Sequence, residues 1–253
     1  MRILVMGGGV VGVTAAYELL KDRHEIVLVE QNEAAGIETS WGNAGMVAPG
    51  HSFAWSSPHA PMILLKSLVM RDQSLRFKPS LDPALWTWSL KFLAQCTKSR
   101  SEYNTIRKHR LATYSQSILH ETLSALDISY DRGDRGILYF YRTQDRLEAG
   151  IDHMQVLARS GQKIEVLDRK QVLALEPSLA QVGHKIAGGI YCPTDETGDC
   201  NKFTTALAAY CTANGAEIRT GERVLSMEAA GDEIRGVRTD KGTIMADAYV
   251  MAL

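Results

Sequence analysis

Three glycines near the N-terminus have the spacing and surroundings of a dinucleotide-binding turn. Gly7, Gly9 and Gly12 read G-x-G-x-x-G between an apolar run at 3–6, typical of a buried strand, and a helical pattern that begins at Val10. In such a turn the first glycine permits the sharp bend. The second admits a pyrophosphate close to the backbone, and the third lets the helix pack on the strand. The motif therefore predicts chemistry that depends on a bound dinucleotide.

The residues around this turn indicate how the nucleotide would be held. The first helical turn, which includes Val10 and Val11, presents backbone N–H groups and the positive end of the helix dipole to phosphates. Glu30 ends the next apolar run, at 25–30, where a carboxylate can accept hydrogen bonds from both ribose hydroxyls. Gln31 follows it. Because no Arg or Lys stands there to hold a 2′-phosphate, NADP is disfavoured.

The loop after the second strand bears on the choice of cofactor. Residues 34–60 are rich in Gly, Ala, Ser, Asn and Pro and have no clear period. A loop this long inside a compact domain is usually functional. Its segment 38–46 holds small residues, whose backbone N–H groups can approach a large planar ring from one side. This feature favours a flavin but does not by itself decide between NAD and FAD.

The hydrophobic pattern predicts an α/β fold that positions these residues. Strand 3–6, helix 10–21 and strand 25–30 form one β-α-β unit, which crosses over right-handed in a parallel sheet. Farther along, helices are predicted from Pro83, at 101–126, at 144–159, before Pro177 and at 201–213. Strands are predicted at 137–141, 164–167, 189–192, 216–219, 223–229, 233–239, 243–245 and 247–252. We infer a discontinuous nucleotide-binding domain, 1–52 plus 196–253, with an inserted α+β domain at 53–195.

The composition is that of an ordinary globular chain. Of 253 residues, 45% are apolar and 23% are charged, which excludes a disordered chain, a collagen and a disulfide scaffold. The net charge of −1 gives no reason to expect a nucleic-acid partner. No apolar run reaches the roughly 20 residues of a membrane span, and the N-terminus does not resemble a signal peptide. We therefore expect a cytoplasmic protein. Cys96, Cys192, Cys200 and Cys211 lack metal-ligand or redox spacing, so no metal site is predicted.

Four longer stretches, spread along the chain, carry a resemblance to a known family. They read ILVMGGGVVGVTAAYEL, ETSWGNAGMVAPG, HKIAGGIYCPTDETGDCNKFTTALA and TIMADAYVMA. On these stretches the chain resembles the D-amino-acid oxidase superfamily of FAD oxidoreductases, and within it the bacterial D-amino-acid dehydrogenases. The resemblance implies FAD as the cofactor. It also implies a Rossmann-like FAD-binding domain with an inserted α+β substrate domain.

The resemblance implies roles for particular residues as well. Gly7, Gly9, Gly12 and Glu30 would hold the ADP half of FAD, and Val224 would meet the adenine through its backbone. The residues along the flavin would be Thr39, Ser40, Asn43, Ala44, Gly45 and Met46. In the family, the arginine or tyrosine side chains that bind the substrate carboxylate come from a part with no counterpart here. The catalytic residues are therefore left unassigned.

The implied reaction is oxidative deamination of a D-amino acid to a 2-oxo acid and ammonia, with electrons passing to a respiratory acceptor. One alternative is oxidation of another amine, such as glycine, sarcosine or a proline derivative. Another is an inactive fragment or a binding subunit of a larger dehydrogenase. Family members are markedly longer, and this chain stops inside a predicted strand. We therefore expect a fragment, a truncated reading frame or one piece of an assembly, of unknown oligomeric state.

Two histidines and an acidic turn are further candidates. His51 and His59 follow the flavin-facing segment and could present a titratable ring to a substrate, although a surface or hydrogen-bonded role is the simpler interpretation. Residues 195–199, Asp-Glu-Thr-Gly-Asp, resemble part of a calcium loop. They lack the alternating ligands and distal Glu of an EF-hand, so we predict a turn in which Asp199 caps the next helix.

The segment 66–110 is unusually basic. It holds ten Lys and Arg residues against three Asp and Glu, a charge of +7 in a chain of −1, and it includes Trp86 and Trp88. A solvated face with core aromatics is the ordinary interpretation. The alternative is a patch that docks peripherally on anionic lipid at the cytoplasmic face of a membrane.

Overall fold

The computed structural model describes residues 1–67 and 77–253. Its helices are α1 (Val10–Lys21), α2 (Ala60–Ser67), α3 (Pro83–Gln95), α4 (Lys98–Ala125), α5 (Gln144–Arg159), α6 (Arg169–Leu175) and α7 (Cys200–Ala213), with short 3-10 turns at Pro49–His51 and Pro177–Lys185. Its strands are β1 (Arg2–Met6), β2 (Glu25–Val29), β3 (Met46–Val47), β4 (Ile137–Tyr141), β5 (Glu165–Asp168), β6 (Gly188–Cys192), β7 (Glu196–Thr197), β8 (Glu217–Arg219), β9 (Val224–Ala230), β10 (Glu233–Thr239), β11 (Gly242–Ile244) and β12 (Ala248–Met251).

One compact unit consists of residues 1–46, 122–133 and 197–253. Its centre is a parallel sheet in the order β12-β1-β2-β8. Strands β1 and β2 are both buried from their second residue onward, which explains their continuous apolar sequence. Helix α1 connects them, so the predicted β-α-β unit is present. An antiparallel sheet in the order β11-β10-β9 completes the unit.

The core of this unit joins the two sheets. Apolar side chains of β1 and β2 pack with those of β10 and β11, and the cluster consists of Leu4, Met6, Val27, Val29, Val237 and Ile244. On helix α1, Tyr17 meets Tyr210 of α7 edge to face, with ring centroids 5.8 Å apart. The carboxyl ends of β1 and β2 are thereby fixed where the glycine turn and Glu30 follow.

The other compact unit consists of residues 47–121 and 134–196. It contains an antiparallel sheet in the order β4-β6-β5. Helix α5 lays its apolar face on this sheet, and the resulting cluster is Leu147, Met154, Leu157, Ile190 and Cys192. This is the α+β character predicted for the inserted domain.

The division of the chain differs from the predicted boundaries in two stretches, besides a shift of one residue that places Glu196 in the second unit. Residues 122–133 belong to the first unit, because Tyr130 packs on Phe203 and its carbonyl accepts the N–H of Asp199. Residues 47–52 belong to the second unit.

Among the described residues, no helix is both long enough and apolar enough to cross a bilayer.

Candidate functional site

The three glycines of the turn after β1 have different structural reasons to be glycine. Gly7 has φ +106°, and a Cβ there would collide with the carbonyl of Ala252. A Cβ on Gly12 would collide with the carbonyl of Gly7. At Gly9, by contrast, the nearest atom to a Cβ would be Ser40 Oγ at 3.4 Å, an ordinary van der Waals contact. The fold itself therefore requires Gly7 and Gly12 but leaves free space at Gly9.

The N-terminus of α1 follows this turn. The first intrahelical hydrogen bond runs from the N–H of Val13 to the carbonyl of Gly9, at 3.0 Å. The N–H groups of Val11 and Gly12 lie ahead of that bond and point out of the helix end, and Val11 is 65% exposed. The helix has no acidic residue in its first turn. Its positive dipole end is therefore available to an anion.

Glu30 lies at the end of β2 and is almost fully buried, with 9% of its surface exposed. Its Oε2 accepts the N–H of Gly8 at 2.7 Å. Its Oε1 accepts both the backbone N–H (2.8 Å) and the side-chain Nδ2 (2.7 Å) of Asn32. A carboxylate offers about four acceptor positions, two on each oxygen. One position therefore remains, on Oε2, and the carboxylate is held in one orientation on the glycine turn.

Sequence reasoning missed Asn32. The signal that could have found it is its place two residues after Glu30, where an Asn side chain readily bonds to neighbouring groups. Asn32 Nδ2 also donates to Glu38 Oε1 at 2.9 Å, and Gln31 Nε2 donates to the same oxygen at 3.0 Å. Gln31 therefore faces Glu38 at the exposed rim of the site. In the described structure its side chain forms no hydrogen bond with the Glu30 carboxylate.

The predicted flavin-facing loop is mostly open to solvent. Thr39, Asn43, Ala44 and Met46 are exposed, whereas Ser40 is 6% exposed. Ser40 Oγ accepts the N–H of Val10 at 2.9 Å, so the structure brings this loop to the N-terminus of α1.

Gly45 shapes the end of this loop. It has φ +65°, and a Cβ there would collide with the carbonyl of Gly198. Its N–H donates to Asn43 Oδ1 at 2.7 Å, and its carbonyl accepts the N–H of Gly198 at 2.8 Å.

Val224 begins β9, and its partly buried side chain packs against the core of the first unit. The segment just before it lies beside β2, since the N–H of Glu222 donates to the carbonyl of Glu30 at 2.9 Å. The structure thus places the residues predicted for adenine and ribose in neighbouring segments. Glu222 is itself 4% exposed and accepts the hydroxyl of Thr239 at 2.6 Å, a contact that the sequence did not indicate.

The structure also locates the candidate residues outside the nucleotide site. His51 lies in the second unit, and its Nδ1 is 3.2 Å from the hydroxyl of Tyr139. His59 is exposed in that same unit. Asp199 accepts the N–H of Lys202 at 2.9 Å and caps α7, as predicted.

Comparison with known proteins gives the chain a family. A family model described as FAD dependent oxidoreductase matches residues 2–253. A D-amino acid dehydrogenase of Phenylobacterium zucineum is 43% identical over 253 residues, which are 100% of this chain and 59% of the relative. A D-amino acid dehydrogenase 2 of Mesorhizobium japonicum is 41% identical, over 100% of this chain and 61% of its own length. The chain therefore spans about three fifths of the length of these relatives.

Solved structures share the fold at lower sequence identity. Glycine oxidase from Geobacillus kaustophilus has a TM-score of 0.67 and 22% identity, and the match covers 99% of this chain and 55% of that one. L-proline dehydrogenase from P. horikoshii has a TM-score of 0.63 and 19% identity, with 99% and 52% covered. Given the match of the family model along the whole chain, this protein belongs to the family of FAD-dependent oxidoreductases.

Proposed function

We propose that this chain supplies the cofactor-binding unit and part of the substrate-binding unit of an enzyme that oxidises D-amino acids to 2-oxo acids and ammonia. The proposal rests on relatives named D-amino acid dehydrogenase that are 40–43% identical along the whole of this chain. In this proposal the unit with the parallel sheet binds FAD. The unit of residues 47–121 and 134–196 faces the amino acid, and a respiratory acceptor takes the electrons.

The fit of FAD to the first unit is supported by the space at Gly9. This glycine has φ −74° and ψ 178°, which any residue can adopt, and its Cβ position is free of protein atoms closer than 3.4 Å. Because the fold does not need glycine here, a group that comes close to the backbone from outside accounts for it. A pyrophosphate is such a group. This observation carries the proposed cofactor site.

The residues of this site have separate tasks in the proposal. The N–H groups of Val11 and Gly12 hold the pyrophosphate, and the free acceptor position of Glu30 takes a ribose hydroxyl. The backbone of Val224 lies along the adenine. The residues that line the flavin are Thr39, Ser40, Asn43, Ala44, Gly45 and Met46. When bound, FAD supplies the hydride acceptor, and the protein supplies binding and orientation.

A substrate panel tests the proposed activity. The full-length natural protein would be purified and assayed with an artificial electron acceptor and D-alanine, other D-amino acids, glycine, sarcosine and proline. We expect flavin absorbance bands near roughly 370 and 450 nm, characteristic of the cofactor itself, and oxidation of D-amino acids with one 2-oxo acid and one ammonia per turnover. Oxidation of glycine, sarcosine or proline alone would contradict the proposed substrate. A folded protein without flavin would contradict the proposed cofactor.

We also propose that the second unit docks on an anionic membrane surface through α3 and α4. No residue of α3 is buried in the described structure. Trp86 is 48% exposed, Trp88 58% and Leu90 69%, so the tryptophans are not core residues. Aromatic rings of this kind favour the boundary between water and lipid. Residues 68–76 of the basic segment lie outside the described residues.

Helix α4 adds charge to this surface. Its inward side carries the buried Thr105 and His109. Its outward side carries a stripe of cationic and aromatic residues at helical spacing, namely Arg100, Tyr103, Arg107, Arg110 and Tyr114, all exposed. The guanidinium of Arg107 lies 4.7 Å from the ring centroid of Tyr103. Anionic headgroups match such a stripe, since each basic residue near them contributes on the order of 1 kcal/mol.

A further inference from the structure

The second unit contains a fully buried aspartate that the proposed reaction does not use. Asp195 follows β6 and has 0% of its surface exposed. Its Oδ1 accepts the N–H of Gly50 at 3.0 Å and Nε2 of Gln162 at 3.3 Å. Within the described residues, its Oδ2 is buried and has no hydrogen-bond partner. Oδ1 therefore accepts two hydrogen bonds, whereas Oδ2 is enclosed by protein without a donor.

A chain of hydrogen bonds leads from α4 to this carboxyl. Nε2 of His109 lies 3.1 Å from Oε1 of Gln162. Because that oxygen can only accept, the Nε2 of His109 carries the proton. The amide nitrogen of Gln162 then donates to Thr194 Oγ1 at 3.1 Å as well as to Asp195. His109 and Gln162 are 4% and 8% exposed, so the bonds are shielded from water and their direction is fixed.

Among the described residues, no Lys or Arg forms an ion pair with Asp195. The titratable groups that face it are Cys192 from β6, Tyr139 from β4, His109 from α4 and His51 from the Pro49–His51 turn. Burial raises the pKa of the Asp195 carboxyl, and the hydrogen bonds from Gly50 and Gln162 oppose that rise only in part. Burial also raises the pKa of the Cys192 thiol to about 12, so the thiol is neutral.

We propose that Asp195 is a neutral carboxylic acid in the folded protein, with its proton on Oδ2, and that it positions the Pro49–His51 turn. An ionised carboxylate with one oxygen enclosed and unpaired would bear a large desolvation cost, which a proton removes. Oδ2 and Cys192 Sγ lie 2.5 and 2.9 Å from the point that a Cβ on Gly50 would occupy. Both atoms therefore lie close to the backbone of Gly50.

The turn that Asp195 holds carries a candidate substrate-facing residue. The bond from Gly50 fixes the backbone next to His51, whose ring stacks on Tyr139 with centroids 5.9 Å apart. The protonation state of Asp195 sets the order of this turn. Neither property depends on whether the protein oxidises D-amino acids.

Infrared spectroscopy on the full-length natural protein tests the protonation state. The carboxylic-acid C=O band would be followed as the pH is raised in the wild type, in Asp195→Asn and in the control Asp152→Asn, an exposed aspartate of α5. We expect one acid band to persist after the exposed carboxyl groups have ionised, in the wild type and in Asp152→Asn but not in Asp195→Asn. A band that disappears together with the exposed carboxyls, or one that survives in Asp195→Asn, would overturn the proposal.

Hydrogen exchange at the Gly50 amide tests the positioning role. Asn keeps an acceptor for Gly50 and places an N–H where the acid has its O–H, so exchange in Asp195→Asn should stay within about threefold of the wild type. Asp195→Ala removes the acceptor and should speed exchange at Gly50 at least tenfold more than at the α5 amides. Equal exchange rates at Gly50 in all three proteins would refute the positioning role. So would an exchange rate in Asp195→Asn as high as that in Asp195→Ala. If Asp195→Ala does not fold, the infrared comparison of the wild type with Asp195→Asn still tests the protonation state.

Discussion

Ser40 Oγ accepts the backbone N–H of Val10 across a separation of 30 residues, at 2.9 Å. Gly9 occupies the N-cap of α1 and has no side chain to satisfy that donor. The serine therefore satisfies, from a distant segment of the chain, one of the N–H groups at the start of α1 that have no partner within the helix. As a result, the loop proposed to line the flavin and the helix end proposed to hold the pyrophosphate form one connected structure.

We expect Ser40→Ala to lower the free energy of unfolding by about 1 kcal/mol, because the partly buried Val10 N–H loses its partner. Denaturant unfolding of the full-length protein measures the change. The exposed neighbour Thr39 serves as the control, and Thr39→Ala should stay within about 0.5 kcal/mol of the wild type. Equal losses in the two variants would mean that the bond between Ser40 and Val10 contributes nothing.

Substitutions at two glycines should separate cofactor binding from folding. Gly9→Val should abolish FAD binding while the melting temperature of the apoprotein changes little, because its side chain enters free space reserved for the pyrophosphate. Gly12→Ala should instead destabilise the fold, since its Cβ meets the carbonyl of Gly7. Flavin absorbance and thermal melting measure the two effects. A flavin-loaded Gly9→Val protein would contradict the proposed site.

Removing the Glu30 carboxylate should weaken FAD binding. Loss of a charged acceptor of a ribose hydroxyl costs about 1.5–3 kcal/mol, so Glu30→Ala should raise the dissociation constant at least tenfold. Asn32→Ala should have a smaller effect in the same direction, because the Glu30 carboxylate loses the Nδ2 donor but keeps the backbone N–H groups of residue 32 and Gly8. Titration of the apoprotein with FAD gives the constants. An unchanged constant for Glu30→Ala would place the ribose elsewhere.

Vesicle co-sedimentation should reveal the proposed membrane contact. The full-length protein should bind vesicles that contain anionic phospholipid and detach in high salt, since the attraction falls off within a Debye length of about 10 Å at 0.1 M salt. The double variant Arg107→Gln/Arg110→Gln should bind more weakly. A control pair outside α3 and α4, Arg142→Gln/Arg146→Gln, should bind like the wild type. Equal recovery on neutral vesicles, or no effect of salt, would refute electrostatic docking.

The buried Asp195 should also change how the free energy of unfolding depends on pH. Because the pKa of Asp195 is raised in the folded state, its ionisation opposes folding. Stability should therefore fall as the pH rises from the ordinary Asp pKa of about 3.9 towards the higher folded-state value, by up to about 1.4 kcal/mol per pH unit. Asp195→Asn should lack this decrease, and denaturant unfolding over a pH series measures it. Parallel profiles for the two proteins would contradict the assignment.

The part of the fold that the sequence predicted is the part governed by local pattern. The β-α-β unit follows from short apolar runs and helical spacing, and the glycine motif identified the turn between them. Asn32 was missed because its role depends on the orientation of Glu30 and not on spacing. The place of residues 122–133 was missed because the contact of Tyr130 with Phe203 joins segments far apart in the chain.

Asp195 illustrates the same limit in another way. In the sequence it belongs to an acidic turn that ends at Asp199, and the only role predicted in that turn was the helix cap at Asp199. In the structure Asp199 caps α7, whereas Asp195 is enclosed by segments that begin as far away as Gly50. Burial of a single carboxylate is a property of tertiary packing, so no periodicity predicts it.

The parallel pairing of β1 with β12 has a consequence for biosynthesis. Ile3 pairs with Ala248 and Met6 with Met251, so one side of β1 finds its partner only after a further 245 residues have been translated. Until then, β1 presents an open, strongly apolar strand edge, and such edges favour association between nascent chains. The high sequence separation of this contact also predicts slow formation of the complete sheet. Chaperone capture during translation is therefore expected to affect the yield of this protein more than that of a chain with a locally paired sheet.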